Sequence, residues 1–64
     1  MHIKVSEMVG ESTIGWKDAV QSAISEASST MSDIVGVEVV NFTAHVENGR
    51  VVRYKANLKI AHKS

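Results

Sequence analysis

Asn48-Gly49 is the feature that most restricts what this chain can become. It lies inside the tetrapeptide ENGR, which joins two long runs of largely alternating apolar and polar residues, the first beginning at Ile34. Alternation at a period of two marks strands with one buried face. Asn-Gly supplies the positive φ that both central residues of a type I′ turn require. A β-hairpin is therefore expected. With Asn48 and Gly49 as its loop, Glu47 faces Arg50 and the register follows outward. Val39 then opposes Leu58, Val37 opposes Ile60 and Thr43 opposes Tyr54, on a side shared with Val35, Val52 and His62. The other side pairs Glu38 with Lys59, Phe42 with Lys55, Ala44 with Arg53, Val46 with Val51 and Gly36 with Ala61.

The first half of the chain changes period once. His2 to Val9 starts by alternating, with Ile3 and Val5 on one face and His2, Lys4 and Ser6 on the other. This predicts a first strand, ended by the Gly10-Glu11-Ser12-Thr13 cluster. Trp16, Ala19, Val20, Ala23, Ile24, Ala27 and Met31 then form one apolar stripe at helical spacing, on a helix of about four turns. Lys17, Gln21, Ser25 and Ser28 take its wet side, and Asp18 complements the dipole in the first turn. Ser12, Thr13 and Gly15 are the alternative caps. A helix between strands one and two makes those strands parallel if they share a sheet. The third strand fits between them in order 1-3-2, which leaves every neighbour antiparallel. The expectation is an α+β fold, a single β-α-β-β domain over residues 1–64.

One helix covers one face of a sheet. The face of Val37, Val39, Leu58 and Ile60 reads as the core. The opposite face carries Val40, Phe42, Val46 and Val51 among charges, and is expected to be buried by other subunits. Size points the same way. A chain of 64 residues buries only ~60% of the surface its unfolded form exposes. Small domains compensate with disulfides, metals or partners. This one has no cysteine and no metal-ligand spacing, so a homo-oligomer is the remaining route.

Seven basic residues balance seven acidic ones, an even mixture unsuited to tracking phosphates, so nucleic acid is not an expected partner. The opening MHIKVSEMVGES has no apolar leader region, and no stretch approaches ~18 apolar residues. No membrane association and a cytoplasmic location are expected. The serines have no histidine or acid at a spacing that implies a nucleophile and its base, so no catalytic residue is assigned. His2, His45 and His62 have no close spacing. Glu7, Glu11, Glu38 and Glu47 are candidates for a calcium or magnesium ion gathered across a symmetry axis, because such ions need several oxygens.

Taken together and in order, Val9-Gly10, Ser12, Trp16, Ala19-Val20, Ala23-Ile24, Ala27, Thr30, Glu38-Val39-Val40, His45, Glu47, Gly49, Val51, Tyr54 and Leu58-Lys59 resemble the dodecin family over nearly the whole chain. The resemblance implies a sheet wrapped on one helix and a hollow homododecamer of cubic symmetry. It also implies a small-molecule ligand, flavin mononucleotide or riboflavin, stacked in pairs between aromatic side chains at two-fold interfaces. Storage or sequestration is the implied role, with no catalysis. The family's flavin site falls here on Gly36, Val37, Lys55 and Lys63. Gly36 stands at the stacking tryptophan, and Lys55 at the glutamine that bonds the ring edge. Thr43 and Lys63 stand where some members carry phosphate-binding arginines. The flavin site is thus expected to be degraded, leaving room for another small ligand or an ion between subunits; the alternatives are flavin storage at weakened affinity through Lys55, Lys63 and backbone groups, and a purely structural or partner-docking shell. Trp16 and Tyr54 are expected in the core, His45 beside Val52 as a structural residue, and Phe42 as the one aromatic on the open face.

Overall fold

The computed structural model describes residues 2–63. Its elements are β1 (Ile3–Ser12), α1 (Trp16–Ala27), β2 (Ile34–Glu47) and β3 (Arg50–Lys63). The three strands form one sheet in the order β1-β3-β2, antiparallel throughout. This is the expected β-α-β-β topology. Asn48 and Gly49 adopt φ values of 52° and 73°, the left-handed pair that a type I′ turn demands.

Strand β1 does not stop at the Gly10 cluster. It continues through Glu11 to Ser12, which pairs with Tyr54. Gly10 is there for a different reason. A Cβ at that position would lie 1.9 Å from the Ala19 carbonyl oxygen and 2.9 Å from the Ala23 Cβ. Helix and strand backbones therefore meet at a bare position. The helix presents Ala19, Ala23 and Ala27 to the sheet, all buried, and Ala56, Leu58 and Ile60 complete the core. Only Leu58 and Ile60 are large.

At its start, α1 is entered through Gly15 with no side-chain cap. Ser12 organises the preceding turn instead. Its Oγ accepts from the Ile14 N–H at 2.9 Å and the Gly15 N–H at 3.4 Å, and donates to Asp18 Oδ2 at 2.7 Å. The helix spans 12 residues, about one turn fewer than its apolar stripe predicts. Hydroxyls account for the difference. Ser28 Oγ donates to the Ile24 carbonyl at 2.8 Å, Ser29 Oγ to Glu26 at 2.7 Å and Thr30 Oγ1 to Ala27 at 3.4 Å. Such bonds compete with continued helix. Met31 still packs against the core from the following turn.

The hairpin register holds from Gly36 to Val39 and again beside the turn, and slips between these stretches and at Val35. Gly36↔Ala61, Glu38↔Lys59, Val39↔Leu58, Val46↔Val51 and Glu47↔Arg50 pair as expected. Between Val39 and Asn41 the register shifts by one, and between His45 and Val46 it shifts back. Phe42 therefore opposes Ala56 rather than Lys55, Thr43 opposes Lys55 rather than Tyr54, and Ala44 opposes Tyr54 rather than Arg53. His45 opposes Arg53 and is not a neighbour of Val52 in the ladder. Val40 is the extra residue on β2, Val52 the extra one on β3, and Val35 a third between Ile34 and Gly36. Unpaired bulge residues leave the regular alternation. Val35 and Val52 are accordingly exposed rather than seated in the core.

The slips redistribute the apolar residues. Cross-strand partners share a face and successive residues alternate, so Phe42, Ala44 and Val46 lie on the helix side with Ala56, Tyr54 and Val51. Phe42, Val46 and Val51 were expected on the opposite face. They instead prolong the core side of the hairpin past the start of the helix, where all three are exposed. Trp16 closes the near end of this stripe. Its ring lies 5.0 Å from Tyr54 edge-on and 5.8 Å from Phe42, and its Nε1 donates to the Thr43 carbonyl at 3.0 Å. It is 42% exposed, so it borders the core and is not enclosed by it.

Gly10→Ala tests the close approach. Overpacking of a filled core costs about 1–3 kcal/mol, and here the clash is with backbone. A loss of unfolding free energy of at least that size, read as a lower urea midpoint at unchanged m, is expected, with Gly15→Ala, which meets nothing within 4 Å, far milder. Equal effects would show that the helix does not rest on Gly10.

Candidate functional site

The face of the sheet away from the helix is polar along most of its length. Reading across the strands, it carries Gly36, Ala61 and Val5 in one row, then Glu38, Lys59 and Glu7. Next come Asn41, Asn57 and Val9, then Thr43, Lys55 and Glu11, and lastly His45 beside Arg53. Lys63 and Ile3 lie beyond the first row. Apolar exposure here is concentrated on edge strand β1, at Ile3, Val5 and Val9.

The residues marked by the flavin-site pattern separate into two groups. Gly36 and Lys63 share one end of this face. A Cβ on Gly36 would meet nothing within 4 Å, so the position opens directly to solvent. Val37 pairs with Ile60 and points to the helix side. Lys55 lies six residues from Ala61 along β3, about 20 Å at ~3.3 Å per residue. There it neighbours Thr43 on β2 and Glu11 on β1. Within one subunit no single tricyclic ring spans Gly36 and Lys55.

Glu11 holds the second group. Its carboxylate is 3.4 Å from Lys55 Nζ and 3.9 Å from an Arg53 guanidinium nitrogen. His45 Nε2 lies 3.1 Å from Glu47 Oε2 on the same strand. The pairs expected from the ladder, Glu38–Lys59 and Glu47–Arg50, stand opposite each other, but neither is among the ion pairs formed by the described residues. His62 is on the helix side, where its Nε2 is 3.1 Å from Ser6 Oγ. The three histidines are not brought together. Among the described residues, no three histidine or acidic side chains gather into a metal cluster. No helix of the described chain is long and apolar enough to cross a membrane.

The family model for dodecin matches residues 3–64. The chain belongs to the dodecin family. Dodecins are small flavin-binding proteins without enzymatic activity. This dodecin is similar in structure to the dodecin of Streptomyces coelicolor, with a TM-score of 0.95 and 30% identity over 98% of this chain and 90% of that one. The tt0972 protein from Thermus thermophilus is similar at a TM-score of 0.94 and 25% identity, covering 98% and 93%. The dodecin of Streptomyces davaonensis shares the fold at a TM-score of 0.94 and 24% identity, with the same coverage of 98% and 93%. No curated protein sequence matches significantly.

One part of the face escapes the sequence pattern. Asn41 and Asn57 become partners only because of the slip at Val40, and they bond to each other through their side chains. The signal is present in the sequence as Val39-Val40, two adjacent apolar residues where alternation calls for one.

Both Lys55 and Glu11 are close to half exposed, at 42% and 47% of their side chains. A Glu11→Ala/Lys55→Ala double-mutant cycle is expected to give a coupling below about 1 kcal/mol that shrinks in 1 M salt. A coupling well above that, insensitive to salt, would mean the pair is shielded from water.

Proposed function

We propose that this dodecin is a non-enzymatic homododecamer that holds a small ligand between subunits, with the family's flavin site degraded at Gly36 and Lys55. The observation that carries the reading is the separation of the two half-sites. Gly36 with Lys63, and Lys55 with Thr43, occupy opposite ends of one face, so a ligand touching both needs two copies of the chain. The thin core supports the assembly. Twelve large hydrophobic residues are each at least 38% exposed, a surface that partner subunits cover at a stabilisation of about 25 cal/mol per Å2.

Gly36 decides the ligand. Stacking of a base on an aromatic side chain contributes about 1–3 kcal/mol in nucleic-acid complexes, and an isoalloxazine is larger than a base. Losing both faces of a paired sandwich lowers affinity by roughly one to four decades, at about 1.4 kcal/mol per decade. Lys55 adds a second loss. An ammonium only donates, whereas the ring-edge contact in relatives uses an amide that donates and accepts. Lys63, beside Gly36, favours a second reading in which flavin mononucleotide or riboflavin still binds, weakly, with the ammonium near a phosphate or ribityl chain. A calcium or magnesium ion would need Glu7, Glu11, Glu38 or Glu47 from more than one subunit. In the ladder Lys59 separates Glu7 from Glu38, which works against that arrangement.

Native mass spectrometry of the wild type, with and without excess flavin mononucleotide or riboflavin, tests the reading. Twelve subunit masses with no flavin increment are expected at micromolar flavin. Gly36→Trp has open space to occupy and is expected to raise flavin affinity at least about tenfold, read by quenching of flavin fluorescence. A monomer or dimer as the largest species overturns the assembly. Tight flavin uptake by the wild type, unimproved in Gly36→Trp, overturns the degraded site.

A further inference from the structure

The hairpin tip combines the most reactive asparagine sequence in the chain with a backbone shape that holds it unreactive. The chain's asparagines stand in the pairs Asn41-Phe42, Asn48-Gly49 and Asn57-Leu58. An asparagine side-chain amide is open to attack by the main-chain nitrogen of the residue that follows it. Glycine leaves that nitrogen unshielded, whereas phenylalanine and leucine crowd it. A Cβ built on Gly49 would meet nothing within 4 Å, and both tip residues are exposed. Among the described residues, the Asn48 side chain makes no hydrogen bond and the Gly49 N–H makes none either. Asn41 and Asn57 differ, since they lie within strands and bond to each other.

The chemistry needs only water. The Gly49 nitrogen loses its proton to solvent base and bonds to Asn48 Cγ. The Cγ–Nδ2 bond breaks, and Nδ2 leaves as ammonia with a proton from water. A five-membered succinimide results, and water then opens it. Breaking the bond from the Gly49 nitrogen to Cγ gives aspartate. Breaking its bond to the Asn48 main-chain carbonyl carbon gives isoaspartate, whose link to Gly49 runs through Cβ and Cγ. Nothing is oxidised or reduced.

The turn decides when this happens. Ring closure needs the Gly49 nitrogen and Asn48 Cβ nearly eclipsed about the Asn48 Cα–C bond. Asn48 and Gly49 hold φ values of 52° and 73°. The first central residue of a type I′ turn has ψ of about +30°, which carries the following nitrogen roughly 150° away from Cβ. The closed tip therefore cannot react. At this end the hairpin runs past the start of the helix, so opening the tip is a local event.

We propose that Asn48 is a latent self-modification site: opening of the hairpin tip lets Gly49 attack, and the resulting isoaspartate keeps the tip open. The isoaspartyl link adds a methylene to the main chain and frees a carboxylate beside Glu47. A two-residue loop with an extra backbone atom no longer joins the strand ends in register, so the Glu47–Arg50 and Val46–Val51 pairs are lost. Modification thus records how long a tip has spent open.

Wild-type protein is incubated in one mildly alkaline buffer, native and unfolded in guanidinium chloride. Peptide mapping follows the mass change of NH replaced by O, and isoaspartyl methyltransferase labelling scores the isoaspartate. Native protein is expected to convert at Asn48 alone, about ten- to a thousandfold more slowly than the unfolded chain, which corresponds to a local opening of about 1.4–4.2 kcal/mol. Equal rates overturn the gate. Conversion slower than that span, or faster at Asn41 or Asn57, overturns the site. Hydrogen exchange then compares isoaspartyl peptides with a freshly prepared Asn48→Asp variant, which gains the same charge on a normal main chain and keeps a type I′ sequence. The amides of Val46, Glu47, Arg50 and Val51 are expected to lose protection in the isoaspartyl form and to keep it in the variant. Protection retained in both, or lost in both, overturns the claim that the added methylene holds the tip open.

Discussion

The helix of this dodecin touches the sheet backbone at Gly10, and the rest of the architecture follows from how closely it does so. Ala19, Ala23 and Ala27 face inward with a carbonyl of the first turn over a strand position that cannot hold a methyl group. Close approach brings dispersion contacts from backbone atoms, which large side chains would hold apart. It also fixes the area that can be covered. Twelve helical residues reach about 18 Å at 1.5 Å per residue. The strands of the hairpin have 14 residues each, about 46 Å at ~3.3 Å per residue, and the molecule is 49 Å long. More than half of the hairpin length therefore has no helix over it. A two-stranded ribbon is marginal alone in water, so the far end of this hairpin is the least supported part of the subunit.

The bulges then sort chemistry between the two faces. Without them, the hairpin would mix valines and charges on the helix-free side. With them, Phe42, Val46 and Val51 join the helix side and extend the core outward from Trp16. The opposite side keeps the charges, the Asn41–Asn57 pair, Gly36 and Lys55. An apolar extension favours burial against another protein surface. A laddered polar face with one depression favours a small ligand or a wet interface. The single extra residues at Val40 and Val52 are what keep the apolar and the polar residues of the hairpin on separate sides.

Topology, helix, turn and the ends of the register were legible in the sequence because each has a local physical cause. Asn48-Gly49 sets its own dihedrals, and Ala19, Ala23 and Ala27 announce a stripe at helical spacing. Three features were not. The helix ends early at Ser28 because hydroxyl-to-carbonyl bonds compete with a periodicity that continues to Met31. β1 outlasts Gly10 because the glycine answers a contact across the fold, which local turn chemistry cannot reveal. The register slip at Val40 is the largest loss, since one extra residue reverses every face assignment between it and Val52. It misplaced Phe42 and concealed Asn41 and Asn57 as neighbours. Family pattern alone pointed to Gly36 and Lys55. It could not show that they lie about 20 Å apart in one subunit.

Gly36 is also where stability and function are least coupled. No atom comes within 4 Å of a Cβ built there, and its partner across the ladder is the small Ala61. A side chain at this position contributes little to the subunit's own packing. Losing one costs the fold little beyond backbone entropy at an edge strand, of order 0.5–1 kcal/mol relative to alanine. Gly10 is the opposite case, since any larger residue there displaces the helix. The two glycines thus have different physical roles: Gly10 fixes how closely helix and sheet pack, while Gly36 bears on no packing within the subunit. A side chain added at Gly36 would therefore leave the alanine seam that builds the subunit undisturbed.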